Sequence, residues 1–133
     1  MHRYASPLAR SPAETYRRID IAGRTGEADP HRLVGLLYEE GVSALRAAAF
    51  AIEQGQARVR NDRISRATAI LFALEAGLDF DQGGEIARTL ATFYHGLRQQ
   101  VLAASTGIDP APLRDAADSL QEIAGAWSAV RAG

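Results

Sequence analysis

The residues that could carry acid–base or metal chemistry are few in this chain. Its three histidines, His2, His31 and His95, lie far apart in the sequence, and none shows the Glu-x-x-His spacing of di-iron helical bundles. The chain contains no cysteine, which excludes both a thiolate metal site and a disulfide framework. We therefore interpret His31 and His95 as packing residues, and we expect neither a bound metal nor any other cofactor.

A glycine-rich segment in the middle of the chain is the other place where chemistry could occur. Its Gly83-Gly84-Glu85 sequence is too short for a phosphate-binding loop and lacks the lysine that would follow such a loop. Asp79 and Asp81 supply two carboxylates, whereas a calcium site needs about six or more oxygen ligands. Capping and turn formation explain these residues. The sequence thus contains no catalytic constellation and predicts that the protein is not an enzyme.

Composition narrows the class of protein further. The 133 residues suffice for one domain with a single core, and 47% apolar with 23% charged residues is typical of a soluble globular chain. The net charge of −1 does not provide the basic surface that nucleic acid or an anionic membrane attracts. No segment approaches the ~20 apolar residues of a membrane span. We expect no nucleic-acid partner and no membrane insertion.

Apolar residues repeated at steps of three and four predict long helices. Asp29 is a favoured N-cap and Pro30 a favoured first helical residue, so this pair predicts the start of the first long helix. Gly55 is predicted to end it. A polar connection follows, and Asn61 or Asp62 is predicted to cap the second long helix.

The second helix is predicted to run to about Gly77, and the third from about Gly84 to Ser105. Glu85 suits the start of the third helix, because a carboxylate is stabilised by the positive end of the helix dipole. A second Asp-Pro pair, Asp109-Pro110, predicts the start of the last helix. Four helices of about twenty residues with short connections favour an antiparallel bundle.

The predicted fold class is therefore all-α, an antiparallel up-down-up-down four-helix bundle with a short N-terminal helix. We expect residues 1–12, with their two Ser-Pro pairs, to form a flexible tail. Residues 13–133 are expected to form a single helical-bundle domain. The apolar stripes predict the side chains that hold the core: Leu71, Leu74, Leu90, Phe93, Leu120 and Trp127.

The chain has more apolar helix surface than a bundle requires, since about three of every seven positions suffice. The first long helix carries two adjacent apolar stripes, and apolar residues flank the main stripes of the second and third. One interpretation is a wide but ordinary core. The other is a groove for an apolar, helical partner segment. Its candidate residues are Leu37, Tyr38, Ile70, Phe72, Tyr94 and Leu102.

A short amphipathic segment precedes the bundle. Residues 13–22 place Tyr16, Ile19 and Ile21 on its apolar side, and about ten residues are too few for a helix that is stable alone. A loop with two glycines follows and could act as a hinge. The segment is predicted either to pack permanently on one end of the bundle or to cover the groove as a lid that moves when a partner binds.

Seven short segments occur in an order and spacing that together are specific, although each is weak alone. They are Asp29-Pro30-His31-Arg32-Leu33, Leu36-Leu37-Tyr38-Glu39, Gly77-Leu78-Asp79, Gln82-Gly83-Gly84-Glu85-Ile86-Ala87, Phe93-Tyr94, Leu102-Ala103-Ala104 and Ala126-Trp127. Over about residues 13 to 131 the chain resembles the flagellin export chaperones of the FliS type.

The resemblance implies a bacterial cytoplasmic protein with a four-helix bundle and a short N-terminal helix, in which residues 13–133 form the chaperone domain. It implies binding of the disordered C-terminal segment of newly made flagellin, which prevents premature polymerisation, and delivery to the flagellar type III export gate. It also implies that a displaced Tyr16 becomes available to the export gate protein. The alternative is a self-associating structural bundle, a weak homodimer without a flagellin client.

The chain departs from the family pattern in places that concern its partners. The glycine of the usual Tyr-Asp/Glu-Gly-Ala motif lies one position later, at Gly41, and residues 94–97 read Tyr-His-Gly-Leu in place of Tyr-Asp-Tyr-Met. Ser105 replaces the asparagine of the usual Ala-Asn. Ala13 stands where some members have an apolar side chain important for docking at the gate. These departures leave the fold unaffected and bear on partner recognition.

Overall fold

The computed structural model describes residues 29–130, which form four α-helices in chain order. The helices, numbered here α1 to α4, are Pro30–Glu53, Ala57–Ala76, Phe80–Ala104 and Ala111–Ala129. No strand occurs among the residues that the structure describes. The prediction of an all-α helical bundle is confirmed. The predicted tail at 1–12 and the short N-terminal helix lie outside the described residues.

The first helix begins as the sequence predicted, with Asp29 as its cap and Pro30 as its first residue. The Asp29 Oδ1 accepts a hydrogen bond from the Arg32 backbone N–H at 2.8 Å. This pairs one of the donors that the first turn of a helix leaves without an intrahelical acceptor. After α1 the chain reverses at Gly55, whose φ of 68° is readily accessible only to glycine.

The predicted cap of the second helix at Asn61 or Asp62 is wrong, because α2 begins at Ala57. Gln56 precedes the helix and makes no side-chain capping hydrogen bond, while its carbonyl accepts from the Arg60 N–H at 2.9 Å. The backbone alone therefore closes this turn. Capping preference favoured asparagine and aspartate, but the tight reversal after α1 sets the start of α2 one turn earlier.

The third helix begins earlier than predicted, with one turn before a bend. Asp79 caps this turn by accepting a hydrogen bond from the Gln82 N–H at 3.0 Å. Gly84 then adopts non-helical dihedral angles, φ 50° and ψ −121°, before the helix continues. The predicted start near Gly84 corresponds to the second, straight part of α3, and the turn from Phe80 is additional.

The second Asp-Pro pair also precedes a helix, α4. The Ala111 N–H donates to the Asp109 Oδ1 at 3.0 Å, and the Pro110 carbonyl accepts from the Arg114 N–H at 3.1 Å. Pro112 lies in the first turn, where its missing N–H leaves no donor unpaired. The start signal read from the sequence is therefore correct to within one residue.

The first helix, α1, makes the two most extensive contacts of the bundle, with α2 and with α4. α3 packs on α2 and, less extensively, on α4. Two contacts give the relative direction of α1 and α4: His31 lies against Trp127, and Glu53 pairs with Arg114 at 2.5 Å. The start of α1 thus lies beside the end of α4, so these helices are antiparallel. The up-down-up-down order of the whole bundle stays a prediction.

The core contains mainly leucine, isoleucine and alanine side chains from all four helices, with two tyrosines. α3 packs less extensively on its neighbours α2 and α4 than α1 does, and its apolar stripe is not fully covered. This corrects half of the predicted core. Leu71, Leu74 and Leu120 are buried, whereas Leu90, Phe93 and Trp127 are partly buried and pack against the core from its rim.

Gly41 marks a close approach of α1 to both of its neighbours. A Cβ atom at this position would lie 2.8 Å from the Leu120 Cδ2 and 3.3 Å from the Ile70 Cγ2. The missing side chain lets α1 sit directly between α2 and α4. A glycine inside a helix costs about 1 kcal/mol relative to alanine, and here the close packing of three helices offsets that cost.

Candidate functional site

An apolar cavity of about 340 Å³ is lined mainly by residues near the starts of α1 and α3 and near the ends of α2 and α4. All four helices contribute to its wall. Asp79 is the one charged residue in the lining, which consists of Val34, Tyr38, Leu74, Gly77, Leu78, Asp79, Gln82, Gly83, Ile86, Ala87, Leu90, Tyr94 and Trp127. We call this space the apolar cavity.

The apolar cavity exists because α3 extends past the end of α2. Glu75, one residue before the end of α2, forms an ion pair with Arg98 in the last third of α3. The first turns of α3 consequently have no turn of α2 beside them. Two of their apolar side chains are left exposed, Phe80 to 39% and Ile86 to 73%. The bundle therefore offers an apolar surface at this end.

Two buried tyrosines form a polar floor for the apolar cavity. Tyr38 and Tyr94 are 1% and 2% exposed, and their hydroxyl oxygens lie 2.5 Å apart, in a hydrogen bond between α1 and α3. Burial raises the pKa of Tyr38, because its phenolate would lose hydration, and the hydrogen bond to Tyr94 opposes part of this rise. Tyr38 stays protonated at neutral pH, so the floor presents a hydroxyl and not a charge.

Trp127 forms the wall between the apolar cavity and a second, polar one. Its indole Nε1–H donates to the His31 carbonyl at 2.8 Å, and the His31 Nε2–H donates to the Trp127 carbonyl at 3.0 Å. The two rings stack with their centroids 4.5 Å apart. These contacts hold the end of α4 against the start of α1. The polar cavity, of about 360 Å³, is lined by Asp29, His31, Arg32, Gly35, Leu36, Glu39, Trp127 and Ser128.

The six residues predicted to line a groove do not form one surface. Tyr38 and Tyr94 lie at the apolar cavity, as lining residues of its floor. Leu37 and Ile70 are fully buried in the core and line neither cavity. Because these two side chains are buried, a partner cannot contact them at the surface. Their predicted placement in a groove is therefore corrected.

The remaining predicted site residues lie elsewhere. Phe72 is 41% exposed on the outer side of α2, where the Arg98 guanidinium lies 5.6 Å from the centroid of its ring. Leu102 is 53% exposed near the end of α3. Neither lines the apolar cavity, and a role for either in partner binding stays a prediction. The predicted lid residues Tyr16, Ile19 and Ile21 lie outside the described residues.

Of the thirteen lining residues, the sequence analysis assigned only Tyr38 and Tyr94 to a groove, and the apolar residues that it missed include Val34, Leu78 and Ile86. Each continues an apolar stripe beyond the part of its helix that a neighbour covers, so periodicity cannot distinguish it from a core residue. The sequence shows that Gly77 ends α2 and that an apolar stripe runs through α3, but it does not show how far α3 extends past α2.

Both described histidines, His31 and His95, make contacts with other parts of the protein. Within residues 29–130, no three His, Asp or Glu side chains are grouped so that they could hold a metal ion. His31 packs on Trp127, and the ring nitrogens of His95 contact Arg98 and Gln99, each at 3.2 Å. In the same part of the chain, no helix is both long enough and apolar enough to cross a membrane.

The fold and the apolar cavity define a small all-α protein with a site suited to an apolar group or chain segment. The chain belongs to the family described as flagellar protein FliS, whose model matches residues 12–133. The resemblance found in the sequence is thereby confirmed.

Three relatives are similar over nearly their whole length, and each is named a flagellar secretion chaperone. The Salmonella typhimurium protein FliS is 31% identical over 121 residues, covering 90% of this chain and 90% of its own. The Pseudomonas aeruginosa protein FliSB is 30% identical over 115 residues, covering 86% and 91%. The Vibrio cholerae protein FliS is 27% identical over 121 residues, covering 91% and 89%.

Proposed function

We propose that the protein is a cytoplasmic export chaperone without catalytic activity. In this proposal it binds the disordered C-terminal segment of flagellin, prevents premature polymerisation and delivers the subunit to the flagellar type III export gate. The observation that carries the proposal is the apolar cavity, together with the uncovered apolar side chains on the first turns of α3. The names of the three relatives support it.

The size of the apolar cavity suits an anchor for a client helix. A cavity of about 150 Å³ accommodates benzene, so a volume of about 340 Å³ has room for roughly two bulky side chains. Ordering a disordered segment costs several kcal/mol, which a larger apolar contact must offset. We propose that the uncovered face of α3, including Ile86, supplies the rest of this contact in a helix-in-groove mode.

Titration with the C-terminal fragment of the cognate flagellin tests the proposed function. Trp127 is the only tryptophan of the chain and lines the apolar cavity, so its fluorescence reports occupancy. We expect binding at micromolar concentration, a clearly negative heat-capacity change and weak salt dependence, because the contact is apolar. Calorimetry at several temperatures and salt concentrations measures all three. A clean failure to bind, or a steep loss of affinity with salt, would contradict the proposal.

Two exposed isoleucines provide a matched pair of variants for the same titration. Ile86 lines the apolar cavity, whereas Ile108 is 89% exposed on the connection between α3 and α4. Ile86→Glu is expected to lower the affinity about tenfold or more, because the carboxylate must be desolvated on binding. Ile108→Glu is expected to bind like the unmodified protein. Equal affinities of the two variants would show that the client does not use the apolar cavity.

We further propose that residues 13–22, which lie outside the described residues, cover part of the apolar cavity when no client is present. Asp29, the first described residue, lines the polar cavity, and Trp127 separates that cavity from the apolar one, so the chain enters α1 near both cavities. Tyr16, Ile19 and Ile21 match the apolar character of the lining. Displacement by the client would make Tyr16 available to the export gate protein.

The lid proposal predicts different effects of one substitution on two partners. Tyr16→Ala is expected to leave flagellin binding unchanged or slightly tighter, because a competitor for the cavity is weakened, while binding to the gate protein falls. Hydrogen exchange of residues 13–22 is expected to lose protection when client is added. If protection rises instead, or if Tyr16→Ala abolishes flagellin binding, the segment is part of the client site and the lid proposal is wrong.

Self-association is the alternative function, and one exposed side chain favours it. Phe50 is 58% exposed on the outer face of α1. It lies between Arg46 and Glu53, each of which forms an ion pair with a residue of α4. Arg46 pairs with Asp118 at 3.2 Å, and Glu53 pairs with Arg114 at 2.5 Å. Each pair presents both charges, so this face can complement a second copy of itself. The molar mass as a function of concentration, with Phe50→Ala as the comparison, separates this alternative from a monomeric chaperone.

A further inference from the structure

The bend of α3 at Gly84 uses a backbone conformation that glycine adopts readily. Gly84 has φ 50° and ψ −121°, a combination that residues with a Cβ atom avoid. A Cβ atom added there would meet no other atom within 4 Å. The surroundings would therefore accept a side chain, and only the backbone conformation requires glycine.

This bend lies in the wall of the apolar cavity. Gln82 and Gly83, before the bend, and Ile86 and Ala87, after it, all line the cavity. The two groups belong to segments of α3 that meet at Gly84, so the backbone angle at this residue sets how far apart the two parts of the wall stand. A straight α3 would carry the first turn to a different position and change the width of the cavity.

The first turn of α3 is a compact unit. The Asp79 Oδ1 accepts a hydrogen bond from the Gln82 N–H at 3.0 Å, and the Asp79 carbonyl accepts one from the Gly83 N–H at 2.8 Å. A Cβ atom on Gly83 would lie 3.0 Å from the Ala87 Cβ, so the turn packs directly on the helix beyond the bend. The two glycines thus act differently: Gly83 permits close packing, and Gly84 permits the change of direction.

We propose that Gly84 is a specificity-determining residue, because its bend fixes the width of the apolar cavity and thereby selects bulky apolar side chains of the client. This inference rests on the proposed function for the identity of the client. A helix presents residues i and i+4 side by side, which matches a cavity with room for roughly two groups the size of benzene. The client segment it selects is an amphipathic helix with two bulky apolar side chains one turn apart.

The test compares Gly84→Ala with Gly96→Ala. Gly96 lies in the straight part of α3, and a Cβ atom there also meets no atom within 4 Å. Alanine favours helical backbone at both positions, so it straightens α3 only at Gly84. The probe is the C-terminal fragment of the cognate flagellin, with each bulky apolar residue replaced in turn by alanine.

The expected readout is the loss of affinity caused by each fragment substitution. For the unmodified protein and Gly96→Ala, at least one substitution in the fragment is expected to lower the affinity about tenfold or more. For Gly84→Ala this penalty is expected to fall below about threefold, because the altered cavity no longer fits the side chain. An undiminished penalty, or a uniform loss of affinity for every fragment, would overturn the proposal.

A second variant covers the case in which Gly84→Ala does not fold. Asp79→Ala removes the cap of the first turn and loosens the same part of the wall without touching Gly84. Like Gly84→Ala, it is expected to reduce the loss of affinity that the fragment substitutions cause. An Asp79→Ala protein that discriminates among the fragments as strongly as the unmodified protein would refute the assignment.

A measurement without client separates this proposal from the proposed function. If no flagellin fragment binds the unmodified protein, the proposed function fails. Naphthalene binding, followed through Trp127 fluorescence, then tests separately whether Gly84 sets the width of the apolar cavity. The unmodified protein and Gly96→Ala are expected to bind naphthalene about tenfold more tightly than Gly84→Ala. Equal binding by all three, or no binding by the unmodified protein, would overturn the role assigned to Gly84.

Discussion

Replacement of Leu120 by alanine is expected to lower the free energy of unfolding by about 2–5 kcal/mol. Leu120 is fully buried in α4 and faces α1 at the point where Gly41 lets the helices approach. Truncation removes apolar burial and leaves a cavity that three closely packed helices cannot readily close. Chemical denaturation followed by circular dichroism measures the effect. A loss below about 1 kcal/mol would show that the helices rearrange to fill the space.

In the Leu120→Ala protein, the additional substitution Gly41→Ala is expected to restore part of the lost free energy of unfolding. In the otherwise unmodified protein, Gly41→Ala places its Cβ atom 2.8 Å from the Leu120 Cδ2, and such overpacking costs about 1–3 kcal/mol. When Leu120 is already alanine, the same methyl group fills vacated space. The double variant should therefore be more stable than the sum of the single effects by on the order of 1 kcal/mol.

Gly96→Ala provides the control for this cycle, since an added Cβ atom there meets nothing within 4 Å. It is expected to stabilise the protein by about 0.5–1 kcal/mol, and its effect should add to that of Leu120→Ala without coupling. Equal coupling energies for Gly41 and Gly96 would mean that the close approach of α1 and α4 does not determine the result.

Replacement of Trp127 by alanine is expected to lower both stability and client affinity. The side chain is partly buried, so we expect a loss of about 2–3 kcal/mol, below the ~3–5 kcal/mol typical of a fully buried aromatic residue. The hydrogen bond from the indole Nε1–H to the His31 carbonyl, which alanine cannot make, contributes part of this loss. Affinity for the flagellin fragment is expected to fall about tenfold, because the apolar cavity loses a wall.

Trp127→Phe separates the contribution of this side chain to stability from its contribution to client affinity. Phenylalanine keeps a smaller aromatic ring at the wall and lacks the N–H that donates to the His31 carbonyl. Stability is expected to fall by about 0.5–1.5 kcal/mol while client affinity changes little. A melting temperature of Trp127→Ala within a degree or two of the unmodified protein would show that the residue is peripheral to the fold.

The sequence predicted the helices where turn residues and apolar periodicity agreed. Asp29 and Pro30 start α1, and the Asp109-Pro110 pair precedes α4, because local hydrogen bonds decide both starts. The prediction was wrong at the start of α2, where Asn61 and Asp62 have the capping preference but a tight reversal leaves them inside the helix. A local preference of about 1 kcal/mol does not outweigh the geometry of the connection.

The candidate site was predicted less well than the fold. Tyr38 and Tyr94 lie at the apolar cavity, but Leu37 and Ile70 are in the core, and nothing in their spacing distinguishes these two pairs. Apolar periodicity shows which side of a helix faces other helices, since side chains recur every 3.6 residues. It does not show which stretch of that side a neighbour covers.

The sequence by itself determined that this protein is an all-α bundle, from the rotational position of each apolar stripe and the local chemistry of its turns. Only the tertiary structure decided where those stripes are uncovered. The ion pair between Glu75 and Arg98 shows that α2 ends beside the last third of α3, which leaves Ile86 exposed and opens the apolar cavity. The axial offset of neighbouring helices results from the packing of all four, and no local stretch of sequence encodes it.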